Sequence, residues 1–208
     1  MAGYNRQQET VNALIHAAGI FFGIIGLPVL IGFASSHGNM DRIAGSGIYA
    51  ISFLMVFTSS TIYHFVSEPR IKRIFLIIDH ISIYFLIAGT YTPFLLLYMN
   101  NTFGITLLCI LWGLTFIGIF FKIFHAGKYE LLSTIIYAGM GLILFSGGST
   151  FFDALPGDVV ILICVGAFLY LSGIFFYLWD KYLYTHAVWH TLVLAAAICH
   201  FIAVFLAV

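Results

Sequence analysis

The amino-acid sequence predicts an all-α, polytopic membrane protein folded as a seven-helix bundle. Of its 208 residues, 62% are hydrophobic and only 8% are charged, against about 45–50% and about 25% in soluble domains. Apolar runs of roughly 20 residues, the length that crosses a bilayer, alternate with short polar connections. Because seven such runs use up the chain, we expect a single bundle over residues 1–208 without a separate soluble domain.

Each predicted span is an apolar run bounded by polar or charged residues. Pro28 and Pro93 fall inside the first and third spans, where a proline is expected to kink the helix. Gly19 and Gly23 form a GxxxG pattern, which is typical of close helix contacts in membranes. The predicted spans are residues 13–34, 43–65, 75–98, 103–121, 131–151, 159–178 and 186–208.

The three cysteines are far apart, and each lies within an apolar run without a CxxC spacing. This arrangement indicates neither a disulfide framework nor a thiolate metal site. We therefore interpret Cys109, Cys164 and Cys199 as core residues.

The distribution of basic residues predicts the orientation, because cytoplasmic loops carry an excess of Lys and Arg. Alternate connections differ strongly in their number of Lys and Arg residues. We therefore expect the N-terminus in the cytoplasm and the C-terminus outside, opposite to the arrangement of G-protein-coupled receptors. A retinal protein is disfavoured because no lysine lies well inside a span, and the zero net charge disfavours nucleic-acid binding. The N-terminal side carries Arg6, Arg70, Lys72, Arg73, Lys122, Lys128 and Lys181, and the other side carries Arg42.

Most ionisable residues within or beside the spans fall at one membrane face. An ionisable side chain in a span is costly, so each is a candidate functional residue. Under the predicted topology these groups all lie near the cytoplasmic ends of four spans that run in alternating directions. They are Glu9, Asn12 and His16 in span one; Ser59, Ser60, Tyr63 and His64 in span two; Asp79 and His80 in span three; His186 and His190 in span seven.

His186 and His190 form the centre of the predicted site. Residues at i and i+4 lie one helical turn apart on one face, roughly 5–6 Å between Cβ atoms, and can share one cation. Imidazole nitrogens suit Zn²⁺, and catalytic zinc takes three protein ligands with a fourth position open. His64 is the third predicted ligand, since it ends span two at the same face.

Asp79 and Ser60 are the predicted catalytic partners of this site. Asp79 opens span three 15 residues after His64, where its carboxylate could accept a proton from a water molecule or orient it. Ser60 lies four residues before His64 and therefore on the same helix face, where it could donate a hydrogen bond. The alternative is that these histidines only bridge helices by hydrogen bonds without any metal.

The remaining polar residues favour structural roles. Glu9, Asn12 and His16 form a stripe in which Glu9 suits the helix dipole and Asn12 could bridge to a neighbouring span. His200 lies ten residues beyond His190, about 15 Å along the helix, and is expected to pack or form a hydrogen bond. We interpret His80 and the stretch Gly89-Thr90-Tyr91-Thr92-Pro93 as structural and place His37 and His125 in loops.

These motifs together resemble the hemolysin III family, the bacterial branch of the progestin and adipoQ receptor family. The resemblance covers the chain from Glu9 to Phe201 and includes the string His186-Ala187-Val188-Trp189-His190. It is carried by Glu9-x2-Asn12-x3-His16, Ser60-x3-His64, Asp79, and His186-x3-His190 followed by His200.

The resemblance implies seven spans in the cell (inner) membrane with the N-terminus inside, in agreement with the charge count. In the adiponectin receptors of that family, histidines matching His64, His186 and His190 hold zinc, and the aspartate matching Asp79 approaches it through water. Related alkaline ceramidases share these residues and the serine matching Ser60, and hydrolyse a lipid amide. The implied cofactor is therefore Zn²⁺.

Two functions follow as hypotheses. The first is a zinc-dependent hydrolase of an amide or ester in a long-chain membrane lipid, with zinc polarising the carbonyl and Asp79 accepting a proton. The second is a cytolytic or membrane-homeostasis protein in which zinc is a structural clasp. A transporter is disfavoured because no ionisable residue lines a path through the middle of the spans.

Overall fold

The computed structural model describes residues 5–36, 38–179 and 182–208, which form helices joined by short connections and contain no strand. Seven helical segments within these ranges are long and apolar enough to cross a membrane, so the predicted all-α, multi-pass fold is confirmed. His37 and Lys181 lie outside the described residues. The helices are α1 (Arg6–Ser36), α2 (Met40–Phe65), α3 (Pro69–Tyr98), α4 (Thr102–His125), α5 (Glu130–Leu142), α6 (Gly148–Phe152), α7 (Gly157–Leu178) and α8 (Thr185–Ala207).

Several helices extend beyond the apolar runs that predicted them, because capping residues start them outside the hydrocarbon region. Helix α3 begins at Pro69, a residue suited to the first turn, and Glu68 accepts a hydrogen bond from the Ile71 amide at 2.7 Å. Asn101 caps α4 by accepting from the Gly104 amide at 3.0 Å. The predicted spans therefore form the apolar middle of longer helices.

The fifth span differs from the continuous helix predicted over residues 131–151. Helix α5 ends at Leu142, and a 3₁₀ segment (Ile143–Gly147) connects it to the short α6. Gly148 has a φ of +54°, which glycine tolerates without a side-chain clash. Helix α4 also continues to His125, so the prediction of His125 as a loop residue is wrong.

The helices pack as a bundle in which α1 contacts α2 and α8, α2 contacts α3, and α7 contacts α8. Helix α5 packs more loosely against α3 and α7. The predicted GxxxG contact is confirmed: a Cβ atom on Gly19 would clash with the Phe57 ring, and one on Gly23 would lie 3.1 Å from Leu54 Cδ2. The small residues therefore let α1 approach α2 closely.

The outer surface is apolar, as expected where helices face lipid. Phe21, Phe116 and Phe168 are exposed there. All three cysteines are free, as predicted, but Cys109 and Cys164 are exposed, so their assignment to the core was wrong. Lipid is as apolar as a protein core, so hydrophobicity alone does not separate the two environments.

A mostly apolar cavity of about 160 Å³ lies inside the bundle. Along α3 its lining extends from Asp79 to Phe94, a rise of roughly 22 Å for 15 residues. Residues of α5 and α7 form much of the wall, including Tyr137, Ala167 and Ile174. The fold thus provides a long, mostly apolar space with Ser60, Asp79 and His190 near one end and Tyr170 and His200 further along it.

Candidate metal centre

His64, His186 and His190 meet at the end of the bundle where α1 begins, which we call the N-terminal end. His64 lies in the last turn of α2, and the other two lie in the first turns of α8. Each offers one ring nitrogen, and these three atoms all lie within 4.8 Å of one another. The structure therefore brings together the three residues that the sequence predicted as metal ligands.

The separations of the nitrogen atoms suit a small cation. Nε2 of His190 lies 3.0 Å from Nε2 of His64, and two ligands of a tetrahedral zinc ion lie about 3.4 Å apart for bonds of about 2.0–2.1 Å. His64 and His190 are almost fully buried, with 3% and 1% of their surfaces exposed, and His186 is half-buried. The donor set is neutral imidazole, which Zn²⁺ binds well, so this cluster could hold a metal ion.

Asp79 and Ser60 lie beside the cluster without belonging to it. Both are buried and line the same cavity as His190. The Ser60 hydroxyl lies near the Asp79 carboxylate, and it forms no hydrogen bond with the residues that the structure describes. The two predicted catalytic groups therefore face the space next to the three histidines.

Comparison with known proteins identifies the family. The family model described as "Haemolysin-III related" matches residues 4–201. The chain belongs to the hemolysin III family. It is 40% identical over 198 residues to "Hemolysin-3 homolog" of Bacillus subtilis (strain 168), covering 95% of this chain and 93% of the relative.

Two further relatives show the breadth of the resemblance. The hemolysin III chain is 37% identical over 198 residues to "Hemolysin-3" of Bacillus cereus, covering 95% of this chain and 90% of that protein. It is 26% identical over 199 residues to "Monocyte to macrophage differentiation factor" of Homo sapiens, covering 91% of this chain and 82% of that protein. The resemblance expected from the motifs is therefore confirmed, including the distant link to the progestin and adipoQ receptor family.

Two contacts in this hemolysin III protein were not foreseen from the sequence. Oε2 of Glu9 lies 2.6 Å from Nδ1 of His64, and Nε2 of His16 lies 2.5 Å from Nδ1 of His190. Lys72 donates to Oε1 of Glu9 at 2.8 Å and to the Tyr63 carbonyl at 3.0 Å. The sequence did place the stripe of Glu9, Asn12 and His16 at the same membrane face as the predicted ligands, and this placement could have indicated the contacts.

The bridge predicted for Asn12 does not form. Its amide is buried, and neither Oδ1 nor Nδ2 has a hydrogen-bond partner among the described residues. Glu9 does lie in the first turn of α1, where its charge suits the helix dipole as expected. In addition, it joins α1 to α2 and α3 through His64 and Lys72.

A second polar cluster surrounds Glu130 at the same end of the bundle. Its Oε2 accepts a hydrogen bond from the Tyr177 hydroxyl at 3.0 Å and lies 3.6 Å from Lys122 Nζ and 3.5 Å from His80 Nε2. The Lys122 side chain lies in the last turn of α4 and is fully buried. The cluster connects four helices, which supports the structural role predicted for His80.

The other predicted structural residues lie deeper in the bundle. Nε2 of His200 donates to the Ile163 carbonyl at 3.3 Å, which confirms that it forms a hydrogen bond. Thr92 donates to the Ala88 carbonyl at 2.7 Å and accepts from Trp112 Nε1 at 3.3 Å. These contacts hold the far part of the cavity wall in place.

Proposed function

We propose that this hemolysin III protein is a zinc-dependent hydrolase of an amide or ester bond in a long-chain lipid, acting at the cytoplasmic side of the bilayer. One observation carries the proposal. The three-histidine cluster adjoins a mostly apolar cavity that its member His190 lines together with Asp79 and Ser60. This combination suits a substrate with a reactive carbonyl group at one end and a long apolar chain.

His64, His186 and His190 would hold the ion. Zinc held by three ligands supplies a Lewis acid that polarises a carbonyl group and activates water at neutral pH. His64 lies on α2, and the other two ligands lie on α8. The three would therefore define a fixed point beside the part of the cavity that His190 lines, against which a scissile carbonyl can be placed.

Asp79 would act as the general base. As water attacks, an oxygen–carbon bond forms at the carbonyl, and the carboxylate of Asp79 accepts the proton that the water loses. When the carbon–nitrogen or carbon–oxygen bond breaks, Asp79 returns that proton to the leaving group. The Ser60 hydroxyl would donate a hydrogen bond to the oxygen on which negative charge develops.

The apolar wall would bind the acyl chain and exclude water from the reacting carbonyl. Leu86, Ile87 and Phe94 line the cavity from α3, and Ala167 and Ile174 line it from α7. Because the wall is as apolar as lipid, an acyl chain can move from the bilayer into the cavity without exposure to water, and the fit of the chain to this space would select it. The cavity therefore favours substrates with long chains over soluble amides or esters.

The test is release of fatty acid from a panel of ceramide-like amides and phospholipid esters by detergent-purified protein, measured by mass spectrometry. We expect turnover by the wild type and loss of turnover in Asp79→Asn with zinc content unchanged. Unchanged turnover in Asp79→Asn would contradict its role as base. Loss of zinc from Asp79→Asn would show that Asp79 is a ligand instead.

A second candidate is a cytolytic or membrane-homeostasis protein in which zinc is structural. The histidine cluster favours it because it joins α2 to α8, two helices far apart in the sequence. In addition, a relative bears the name "Hemolysin-3". Under this hypothesis Asp79→Asn is mild, and each histidine variant lowers thermal stability. It further requires that purified protein releases dye from liposomes in a concentration-dependent way.

A further inference from the structure

Helix α1 provides no member of the histidine cluster, yet it contacts two of its members. We propose that Glu9 and His16 are positioning residues of the metal centre, and that they make His64 and His190 bind the ion through Nε2. The inference rests on the zinc binding of the proposed function, but it does not depend on hydrolase activity.

The first positioning contact joins Glu9 to His64. An ionised carboxylate only accepts hydrogen bonds, so the 2.6 Å contact requires the proton of His64 on Nδ1. A neutral ring with its proton on Nδ1 has its lone pair on Nε2, the atom that faces His190. Lys72 holds the other carboxylate oxygen at 2.8 Å, so Glu9 is fixed from both sides.

The second positioning contact joins His16 to His190. Nε2 of His16 lies 2.5 Å from Nδ1 of His190, and the two rings meet edge to face at 82° with centroids 4.3 Å apart. When Nε2 of His190, which faces His64, binds the ion, the proton of the neutral ring lies on Nδ1 and is donated to Nε2 of His16. His16 is itself held in place by burial and by the Phe57 ring, with centroids 5.4 Å apart.

The same arrangement thus occurs on both sides of the cluster. The Nε2 atoms of His64 and His190 face each other, and the Nδ1 atom of each ring contacts a residue of α1. Partners of this kind fix the tautomer and the ring orientation of ligand histidines, and their loss typically weakens metal binding about 10–100-fold. Glu9 and His16 are seven residues apart, which places both on one face of α1.

The test is zinc affinity measured by competition with a chromogenic chelator. We expect Glu9→Leu and His16→Leu to weaken binding about 10–100-fold, with smaller losses in Glu9→Gln and His16→Gln, which keep an acceptor oxygen nearby. The matched controls are Glu68→Gln, an exposed acid at the same end, and His200→Gln, a histidine outside the cluster. Both controls should bind zinc as the wild type does.

A spectroscopic measurement separates positioning from a general effect on folding. In zinc-loaded protein with ¹⁵N-labelled histidine, we expect NMR to show protonated Nδ1 and metal-bound Nε2 for both His64 and His190. Metal bound through Nδ1 of either residue, or wild-type affinity in both leucine variants, would overturn the inference alone. A wild type that binds no zinc would overturn the proposed function and this inference with it.

Discussion

Nε2 of His190 lies 3.0 Å from Nε2 of His64, although the two residues are 126 positions apart in the chain. Both atoms are buried and both rings have a partner at Nδ1, so when both rings carry their proton on Nδ1 the two Nε2 lone pairs face each other. Such an arrangement repels unless a proton or a cation lies between the atoms. This relationship, completed by His186, is the physical basis of the proposed metal centre.

Ser60 is predicted to act on the reaction and not on the fold. Ser60→Ala should lower kcat by about 10²-fold, the size of effect seen when one donor to a developing oxyanion is removed. Zinc content and thermal stability should stay unchanged. The measurement is steady-state turnover of the lipid found active in the substrate panel.

Ser59→Ala is the matched control for this prediction. The Ser59 hydroxyl also lies in α2 and is buried, but its single proton is shared between the Val56 carbonyl oxygen and Ser82 Oγ, both 3.2 Å away. It is absent from the cavity lining. Equal losses of turnover in the two variants would contradict a specific role for Ser60.

The cavity is predicted to bind the acyl chain. Ala167→Phe places a ring into the wall formed by α7, so we expect KM for long-chain substrates to rise while zinc content stays the same. The control is Ala44→Phe, at an exposed position of α2 outside the cavity. An unchanged KM in Ala167→Phe across chain lengths would show that the chain binds elsewhere.

The Glu130 cluster is predicted to stabilise the bundle through charge pairing. Removal of one partner of a buried ion pair costs about 3–5 kcal/mol, and we expect the lower end of that range for Glu130→Ala because its side chain is 29% exposed. The measurement is thermal unfolding in detergent. Lys122, which is fully buried, would be left without its counter-charge.

A double variant separates this explanation from a simple loss of packing. Lys122→Met combined with Glu130→Gln removes both charges and keeps similar volumes, so it should recover most of the lost stability. If the stability lost in the double variant equals the sum of the losses in Lys122→Met and in Glu130→Gln alone, the two charges do not interact.

The spans and the position of the candidate site could be predicted from the sequence. Apolar runs report the spans because every crossing helix needs them, and costly polar groups such as His64 and Asp79 stand out against that background. Their arrangement at one membrane face followed from counting spans. The structure adds distances that a residue count does not provide.

Other features depended on packing between helices and could not be predicted. The side of each helix that faces lipid is as apolar as the side that faces the core, so Cys109 and Cys164 were misplaced. The pairing of Glu9 with His64 arises between α1 and α2, and spacing along α1 alone does not show it. The interruption after Leu142 leaves the apolar pattern of the fifth span intact.

The central claim is that three histidines bind one metal ion, and metal analysis of the purified protein tests it most directly. Plasma mass spectrometry of folded protein never exposed to chelator should find about one zinc per chain in the wild type. His200→Ala, a histidine outside the cluster, should keep it. His64→Ala, His186→Ala and His190→Ala should each lose it, whereas a folded wild type without stoichiometric metal would contradict the account.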